Sequence, residues 1–393
     1  MRPMDDLLRL SPSRLTPDHA AFRDSVRRFV ARELTPHAAR WDEAGGFPRE
    51  LFTKAATAGL LGMGFPEEYG GFPVDAMHRL IACVELAQCG AGGVLASLMS
   101  HTIAAPPIAA LGSDELRRRV LPSILAGERI AALAVTEPSG GSDVAALRTT
   151  ARRNGDHFVV SGEKTFITSG LHADFYTVAV RTDPESRGVR GISLLLVERE
   201  TPGFTRTPLQ KMGWWASDTA HLHFDAVRVP VANLIGAEGE GFRAIMLNFN
   251  AERFSLAANA LGFAWCCHVE ALAWARERRT FGQRLVDHQV IRHRFVDMRA
   301  RIEATTALLE EVAWRLDHEP AGDPSVVAAV CMAKNTATRT MQFCADAAVQ
   351  TLGGMGYVRG TKSERIYREV KVNMIGGGAE EIMKDLAAKQ LGF

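Results

Sequence analysis

The sequence carries almost no net charge: 46 Lys and Arg residues oppose 45 Asp and Glu, a formal balance of +1. The arginines are scattered among carboxylates, and the densest group, Arg117 to Arg119, adjoins Asp114 and Glu115. A nucleic-acid binder depends on a strong positive field, so that class is disfavoured. Nothing approaches the roughly 18 consecutive apolar residues of a membrane helix, so no membrane partner is expected. The opening MRPMDDLLRLSPSR lacks the apolar stretch of about 7–15 residues that marks a secretory signal. The six cysteines, Cys83, Cys89, Cys266, Cys267, Cys331 and Cys344, form no Cys-x-x-Cys pair. Most lie in helical apolar patterns, which reads as reduced, buried thiols in a cytoplasmic protein. His221 and His223 share one strand face without further ligand-type neighbours, so no metal site is expected. The triphosphate motif GxxxxGK[ST] is missing, and Gly353-Gly-Met-Gly356 neither fits GxGxxG nor follows a strand. Internal repeats and low-complexity segments are missing too.

What is present is size and an ordinary globular composition. The chain has 393 residues, 47% hydrophobic and 23% charged, enough for two or three domains. From Thr16 to about Gly127 the pattern is helical. Thr16-Pro-Asp-His reads as an N-cap with proline at the first helical position, and Phe22, Val26, Phe29 and Val30 recur at helix spacing. Further helices are expected from about Val74 to Gly90, from Val94 to Ala110, and from Ser113 to near Gly127. From Ala131 to about Leu234 the period changes to two. Strands are expected at Ala132 to Val135, His157 to Val160, Lys164 to Thr168, Tyr176 to Val180, Gly191 to Val197 and Ala220 to Val229. Turn signals stand at Asn154-Gly155, Asp183-Pro184, Arg187-Gly188 and Thr201-Pro-Gly203. Beyond Glu240 four helical segments are expected, Phe242 to about Arg278, Asp287 to about Leu316, one opening at Asp323-Pro324, and Glu380 to Gln390. The fold class is therefore α+β multidomain: an all-α domain over 1–130, a β-barrel or sandwich-like domain over 131–238, and a four-helix bundle over 239–393.

The densest chemistry lies between Ala132 and Gly170. A short apolar run breaks into Thr136-Glu-Pro-Ser-Gly-Gly-Ser-Asp143, where glycines permit close backbone approach. The hydroxyls of Thr136 and Ser142 add donors for a flat, polar-edged or phosphorylated ligand. Alone, this stretch reads more readily as a surface turn between strands.

Other stretches decide it. TEPSGGSD, SGEKTFITSG, Arg278-Arg-Thr-Phe-Gly282 with Gln289, Gln350-Thr-Leu-Gly-Gly-Met-Gly-Tyr357 and Glu364-Arg-Ile-Tyr-Arg368 stand in this order. Together they closely resemble the acyl-CoA dehydrogenase family of FAD enzymes over nearly the whole chain. The resemblance implies that Leu133, Val135 and Thr136 lie along the flavin edge, with Phe166 and Thr168 covering its other side. Phe166 stands where the family usually has Trp, which keeps the stacking face and loses the indole N–H. Arg278, Phe281, Gln289, Gln350, Gly353 and Gly354 match contacts to the FAD of a neighbouring subunit. A homo-oligomer follows, usually a tetramer built as a dimer of dimers.

The implied reaction removes the α-proton of an acyl thioester with a carboxylate while the β-hydride leaves to the flavin, giving a trans-2-enoyl-CoA. Many members place that base in a loop before the last helix. Here the matching position is Gly377, which keeps only an N–H to offer the thioester carbonyl. Branched-chain and long-chain members instead carry a Glu directly before an Arg on the first bundle helix. Asn248-Phe-Asn-Ala-Glu252-Arg253 stands there, so Glu252 is the candidate base. Glu380 and Glu381 are rivals by proximity, with Glu381 read as a helix cap or FAD contact. Ser142, Phe249, Asn250 and Arg253 match substrate contacts near the CoA path, and Trp214-Trp215 with the helix beyond Gly93 would help shape the acyl pocket. An electron-transfer flavoprotein is the implied acceptor, within lipid or branched-chain acid catabolism. Oxidase or monooxygenase chemistry on a non-CoA or carrier-bound substrate is the alternative enzyme reading, and a DNA-associated relative the non-enzyme one.

Overall fold

The computed structural model describes residues 14–183, 185–186, 188–320 and 322–393, without the side chains of Leu247 and Asn248. Pro184 and Arg187 of the expected turns lie outside the described residues, as do residues 1–13 of the opening segment. Helix α1 (Pro17–Phe29) begins as its sequence directs, with the Thr16 hydroxyl accepting from the His19 N–H and proline at the first position. The helices α2 (Ala38–Ala44), α3 (Glu50–Thr57) and α4 (Ala76–Leu86) follow, and α4 is capped by Asp75. The expected helix from Val94 to Ala110 is instead three pieces, α5 (Gly92–Leu98), α6 (His101–Ala104) and α7 (Pro106–Leu111). Pro106 and Pro107 have no N–H to continue the ladder, so the rod breaks between α6 and α7, while an earlier break falls at Met99; Val94, Leu98, Ala104 and Ile108 stay buried. Helix α8 (Asp114–Leu125) closes the region, capped by Ser113.

The strands β1 (Ala131–Ala134), β2 (Thr150–Asn154), β3 (His157–Thr168), β4 (Phe175–Arg181), β5 (Ile192–Glu198), β6 (Phe204–Pro208), β7 (Thr219–Pro230) and β8 (Leu234–Ile235) form one sheet. Its order is β6-β7-β3-β2-β4-β5-β8, with β1 parallel to β4. The two expected segments from His157 to Thr168 are a single strand. Its register against β7 shifts at Gly162, where a Cβ would come 2.7 Å from Thr149 Cα. Strands β2 and β6 were not expected: β2, TARRN, buries only Ala151 and lacks an apolar alternation.

Helix α9 (Gly241–Glu277) runs into a small hairpin, β9 (Arg279–Thr280) and β10 (Gln283–Arg284), then α10 (Gln289–His318), α11 (Pro324–Leu352), α12 (Gly354–Tyr357), α13 (Lys362–Ile375) and α14 (Glu380–Leu391). Helix α11 is the axis of this bundle, packing against α9, α10, α13 and α14. Helix α13 adds a fifth member to the four expected. By length and mean hydropathy α9 could cross a membrane, although it lacks an uninterrupted apolar run; 67% of its apolar window is buried inside the protein. The helical domains are tied by buried charges. Asp42 of α2 pairs with Arg368 at 2.9 Å and Arg365 at 3.5 Å. Glu369, fully buried on α13, accepts from the Gly92 N–H at 2.8 Å.

Candidate active site

Helix α9 places Glu252 where the glycine loop between α13 and α14 passes. A Cβ on Gly377 would lie 3.6 Å from Glu252 Oε1 and 2.6 Å from Leu256 Cδ1, so the two places proposed for a base converge on one point. Gly377 has φ of +66°, a left-handed conformation that glycine adopts without strain. Glu252 Oε2 is sealed from water yet has no hydrogen-bond partner among the described residues. Burial pushes its carboxyl up to about 7, against the pull of the Arg253 and Lys334 charges. A buried acceptor without a partner is expensive to hold, and such groups mark places where a ligand completes the bonding.

The rival carboxylates are disposed differently. Glu380 pairs with Arg339 and, at 2.9 Å, with Lys384, and these bonds hold its carboxyl down at about 2. Glu381 is exposed in the first turn of α14, and no side-chain hydrogen bond caps that helix, so the capping role is not seen. Arg253 is buried; its Nε donates to the Gly377 carbonyl at 3.0 Å and its guanidinium lies 5.0 Å from the Phe249 ring centroid. It fixes the loop from within the fold. Phe249 and Asn250 are half-buried one turn earlier, and Ser142 is exposed on its loop.

The loop on which Thr136 sits is built by two strands. The Thr165 N–H of β3 donates to the Thr136 carbonyl at 2.9 Å, joining TEPSGGSD to SGEKTFITSG. Beneath it, fully buried Lys164 donates to Glu137 at 2.8 Å and to the Val135 carbonyl at 3.0 Å. Glu137 also accepts from the N–H groups of Arg148 and Thr149. Burial pulls Lys164 down to about 8, still cationic at neutral pH. Leu133 is half-buried on β1. Phe166 is 70% exposed with φ of +59°, an aromatic face held out by a conformation bulky residues rarely adopt. The Thr136 and Thr168 hydroxyls have no protein partner among the described residues.

A second group gathers at the far end of α9. Arg278 caps that helix and Phe281 occupies the hairpin tip, 98% exposed with φ of +50°. Gln289 opens α10, Gln350 lies in the last turn of α11, Gly353 caps it and Gly354 opens α12, all exposed. Arg294 of α10 donates to the Thr351 hydroxyl at 3.1 Å, which fastens the two ends together. No hydrogen bond or ring contact joins this group to Thr136 and Phe166 among the described residues. Both groups fit FAD: free hydroxyls and an open aromatic face for the flavin, an exposed arginine and glycine-rich backbone for the phosphates and adenosine.

Elsewhere the reading from sequence is adjusted. Trp215 carries the guanidiniums of Arg359 and Arg368 over its ring, 4.4 and 3.8 Å from its centroid. Trp214 packs on Gly92 and Gly93. His221 and His223 both turn to Glu163 at 3.6 and 3.5 Å. A cavity of about 320 Å³ lined by Asp42, Glu43, Arg359, Glu364, Arg365 and Arg368 holds none of the expected site residues. Sequence reasoning missed Lys334, Glu137 and Lys164; the last two stand within the quoted motifs, where their charge signalled no role until the fold paired them.

A helical–β–helical chain that holds a buried carboxylate, unpaired among the described residues, beside a glycine loop has the frame of an enzyme with a sheltered acid–base group. Comparison with known proteins makes this specific. Family models for the N-terminal, middle and C-terminal domains of acyl-CoA dehydrogenase match residues 16–128, 132–227 and 239–392. A probable acyl-CoA dehydrogenase, YngJ, of Bacillus subtilis is 35% identical over 96% of this chain and 98% of its own length. The crystal structure of a probable acyl-CoA dehydrogenase from Mycobacterium abscessus superposes with a TM-score of 0.92 at 46% identity, covering 96% of this chain and all of that one (100%). A glutaryl-CoA dehydrogenase from Mycobacterium smegmatis in complex with FADH2 matches at 28% identity and a TM-score of 0.90, over 97% of this chain and 96% of its own. The chain belongs to the acyl-CoA dehydrogenase family. It is an oxidoreductase, and its cofactor is FAD.

Proposed function

We propose that this enzyme desaturates an acyl-CoA thioester between its α and β carbons, with Glu252 taking the α-proton. The placement of Glu252 carries the reading: Oε1 beside the Gly377 loop, Oε2 buried and without a partner among the described residues. A base raised to about 7 is half ionised at neutral pH, which suits a weakly acidic carbon acid. Bound FAD supplies the acceptor for the β-hydride. Leu133, Val135, Thr136, Phe166 and Thr168 of this chain would hold its flavin half. Arg278, Phe281, Gln289, Gln350, Gly353 and Gly354 would serve the adenosine half in a neighbouring subunit, with Glu381 at the edge, in a homotetramer of paired dimers. The Gly377 N–H would donate to the thioester carbonyl, where negative charge develops. Phe249, Asn250 and Ser142 would line the approach of the CoA arm while Arg253 steadies the loop. The helical base position favours branched or longer acyl chains, and the electrons would pass to an electron-transfer flavoprotein in the cytoplasm.

The test is Glu252→Gln in the FAD-loaded protein, mixed anaerobically with a panel of acyl-CoAs. Flavin bleaching should slow at least about a thousandfold with FAD content unchanged. Bleaching at the parent rate would remove Glu252 from the role.

A further inference from the structure

The Gly376–Gly378 loop is held by two buried cations from different helices. Arg253 of α9 grips the Gly377 carbonyl. From α11, Lys334 donates to the Gly378 carbonyl at 2.6 Å and to the Met374 carbonyl at 3.3 Å. Lys334 is completely buried, and no carboxylate lies within ion-pairing distance of it among the described residues. Buried lysines are ordinarily paired, because an ammonium satisfied by backbone carbonyls alone keeps most of its desolvation penalty. A carboxylate in the complementary predicament stands nearby: Glu252, with one oxygen unpartnered among the described residues, against the same loop. The two halves of an ion pair are both present and unjoined, each against the same loop: Lys334 at the Gly378 and Met374 carbonyls, Glu252 at Gly377.

We propose that Lys334 is a positioning residue for proton abstraction: it pins the loop beside Glu252 and supplies buried positive charge that favours the carboxylate form without occupying it. The inference rests on Glu252 being the base. A direct lysine contact would engage the oxygen that must receive the proton, whereas a cation one step removed leaves it free. The other charges around Glu252 leave this role to α9 and α11. Arg253 from α9 acts in the same sense, and its donor is committed to the Gly377 carbonyl. Cys331 of α11 is a thiol that burial keeps neutral. At the start of α14, Glu380 is engaged by Arg339 and Lys384. On α13, Lys371 is exposed and turned to the Met374 sulfur.

The experiment is the pH dependence of anaerobic flavin reduction by acyl-CoA in FAD-loaded Lys334→Gln, Lys334→Met and Lys334→Arg. Glutamine keeps a donor for the Gly378 carbonyl and removes the charge; methionine removes both; arginine keeps the charge. The acidic limb of K334Q and K334M should move up by about one pH unit, so that the rate near pH 6 falls about tenfold relative to the parent. The limb of K334R should stay in place. A K334Q limb coincident with the parent, whatever the fall in plateau rate, overturns the proposal, because a purely structural role lowers the rate at every pH alike. If K334Q and K334M do not retain flavin, K334R decides: a parent-like limb is the expected result and a displaced one overturns it. Active E252Q would unseat the base itself, whereas inactive E252Q with an unmoved K334Q limb removes Lys334 alone.

Discussion

Glu252 illustrates how one side chain can be set against the stability of the protein that carries it. In the unfolded chain its carboxyl ionises near the ordinary value of 4.5, and in the folded protein only near 7. Between those values the folded state holds the extra proton, so stability falls as pH rises from about 4.5 to about 7 and stays lower above that. Glutamine carries no such penalty. E252Q should therefore match the parent near pH 4 and exceed it by about 3 kcal/mol near pH 8, measured by chemical denaturation at both. Equal stability at both pH values would show that the carboxylate is well solvated in the fold. The catalytic dependence runs the other way, with flavin reduction rising through about pH 7 as the base ionises. In the sequence only the Glu-Arg pair on the first bundle helix favours Glu252 over Glu380, which lies near the glycine loop as well. The physical distinction comes from the surroundings: Arg339 and Lys384 engage Glu380, and no described residue lies within bonding distance of Glu252 Oε2.

At the scale of elements, the loop after β1 depends on a buried strut. Lys164 links the Val135 carbonyl and the Glu137 carboxylate immediately on either side of Thr136. Lys164→Met would leave Glu137 buried with two backbone N–H donors and no cation, a loss of about 3–5 kcal/mol for a broken buried pair. It should also release FAD during gel filtration, since Thr136 would no longer be held. Unchanged denaturation and full FAD content would show the strut to be dispensable. The strand–loop–strand frame around this strut was legible from the Gly-Gly turn chemistry and the period-two pattern. The strut was not, because its two ends are 27 residues apart and a lysine in a strand reads as solvent-facing. Helix α13 escaped for a related reason. Its buried face carries Glu364, Arg365 and Glu369 alongside Ile366 and Val370, so hydrophobic periodicity fails where charges are paired inside. A start signal was nonetheless present: Thr361 caps the helix by accepting from the Glu364 N–H, a Ser/Thr-x-x-Glu spacing visible in the residues alone. The β2 strand offered no equivalent, because its pairing with β3 and β4 is what makes it a strand.

At the scale of the whole molecule, the breadth of the recognisable pattern reflects the way each motif belongs to a different layer: the β sheet, the ends of α9 to α11, and the loop before α14. The two helical domains around them are joined by Asp42, Arg365, Arg368 and Glu369. The bundle's length has a sharper meaning. Glu252 and Arg278 stand on one continuous helix, 26 residues apart, which places them roughly 39 Å from each other along its axis. Helix α9 is thus a ruler that forbids its own two ends from sharing one small molecule. If each end serves a different bound FAD, every chain in a closed assembly is a donor to one centre and a host to another. Genetics can read that arrangement directly. Two inactive variants, Glu252→Gln and Arg278→Ala, should complement when refolded or co-expressed together: a mixed pair of chains concentrates both defects in one centre and leaves the other whole. Random pairing of equal amounts would restore about one quarter of the centres, while no recovery would assign both residues to a single centre.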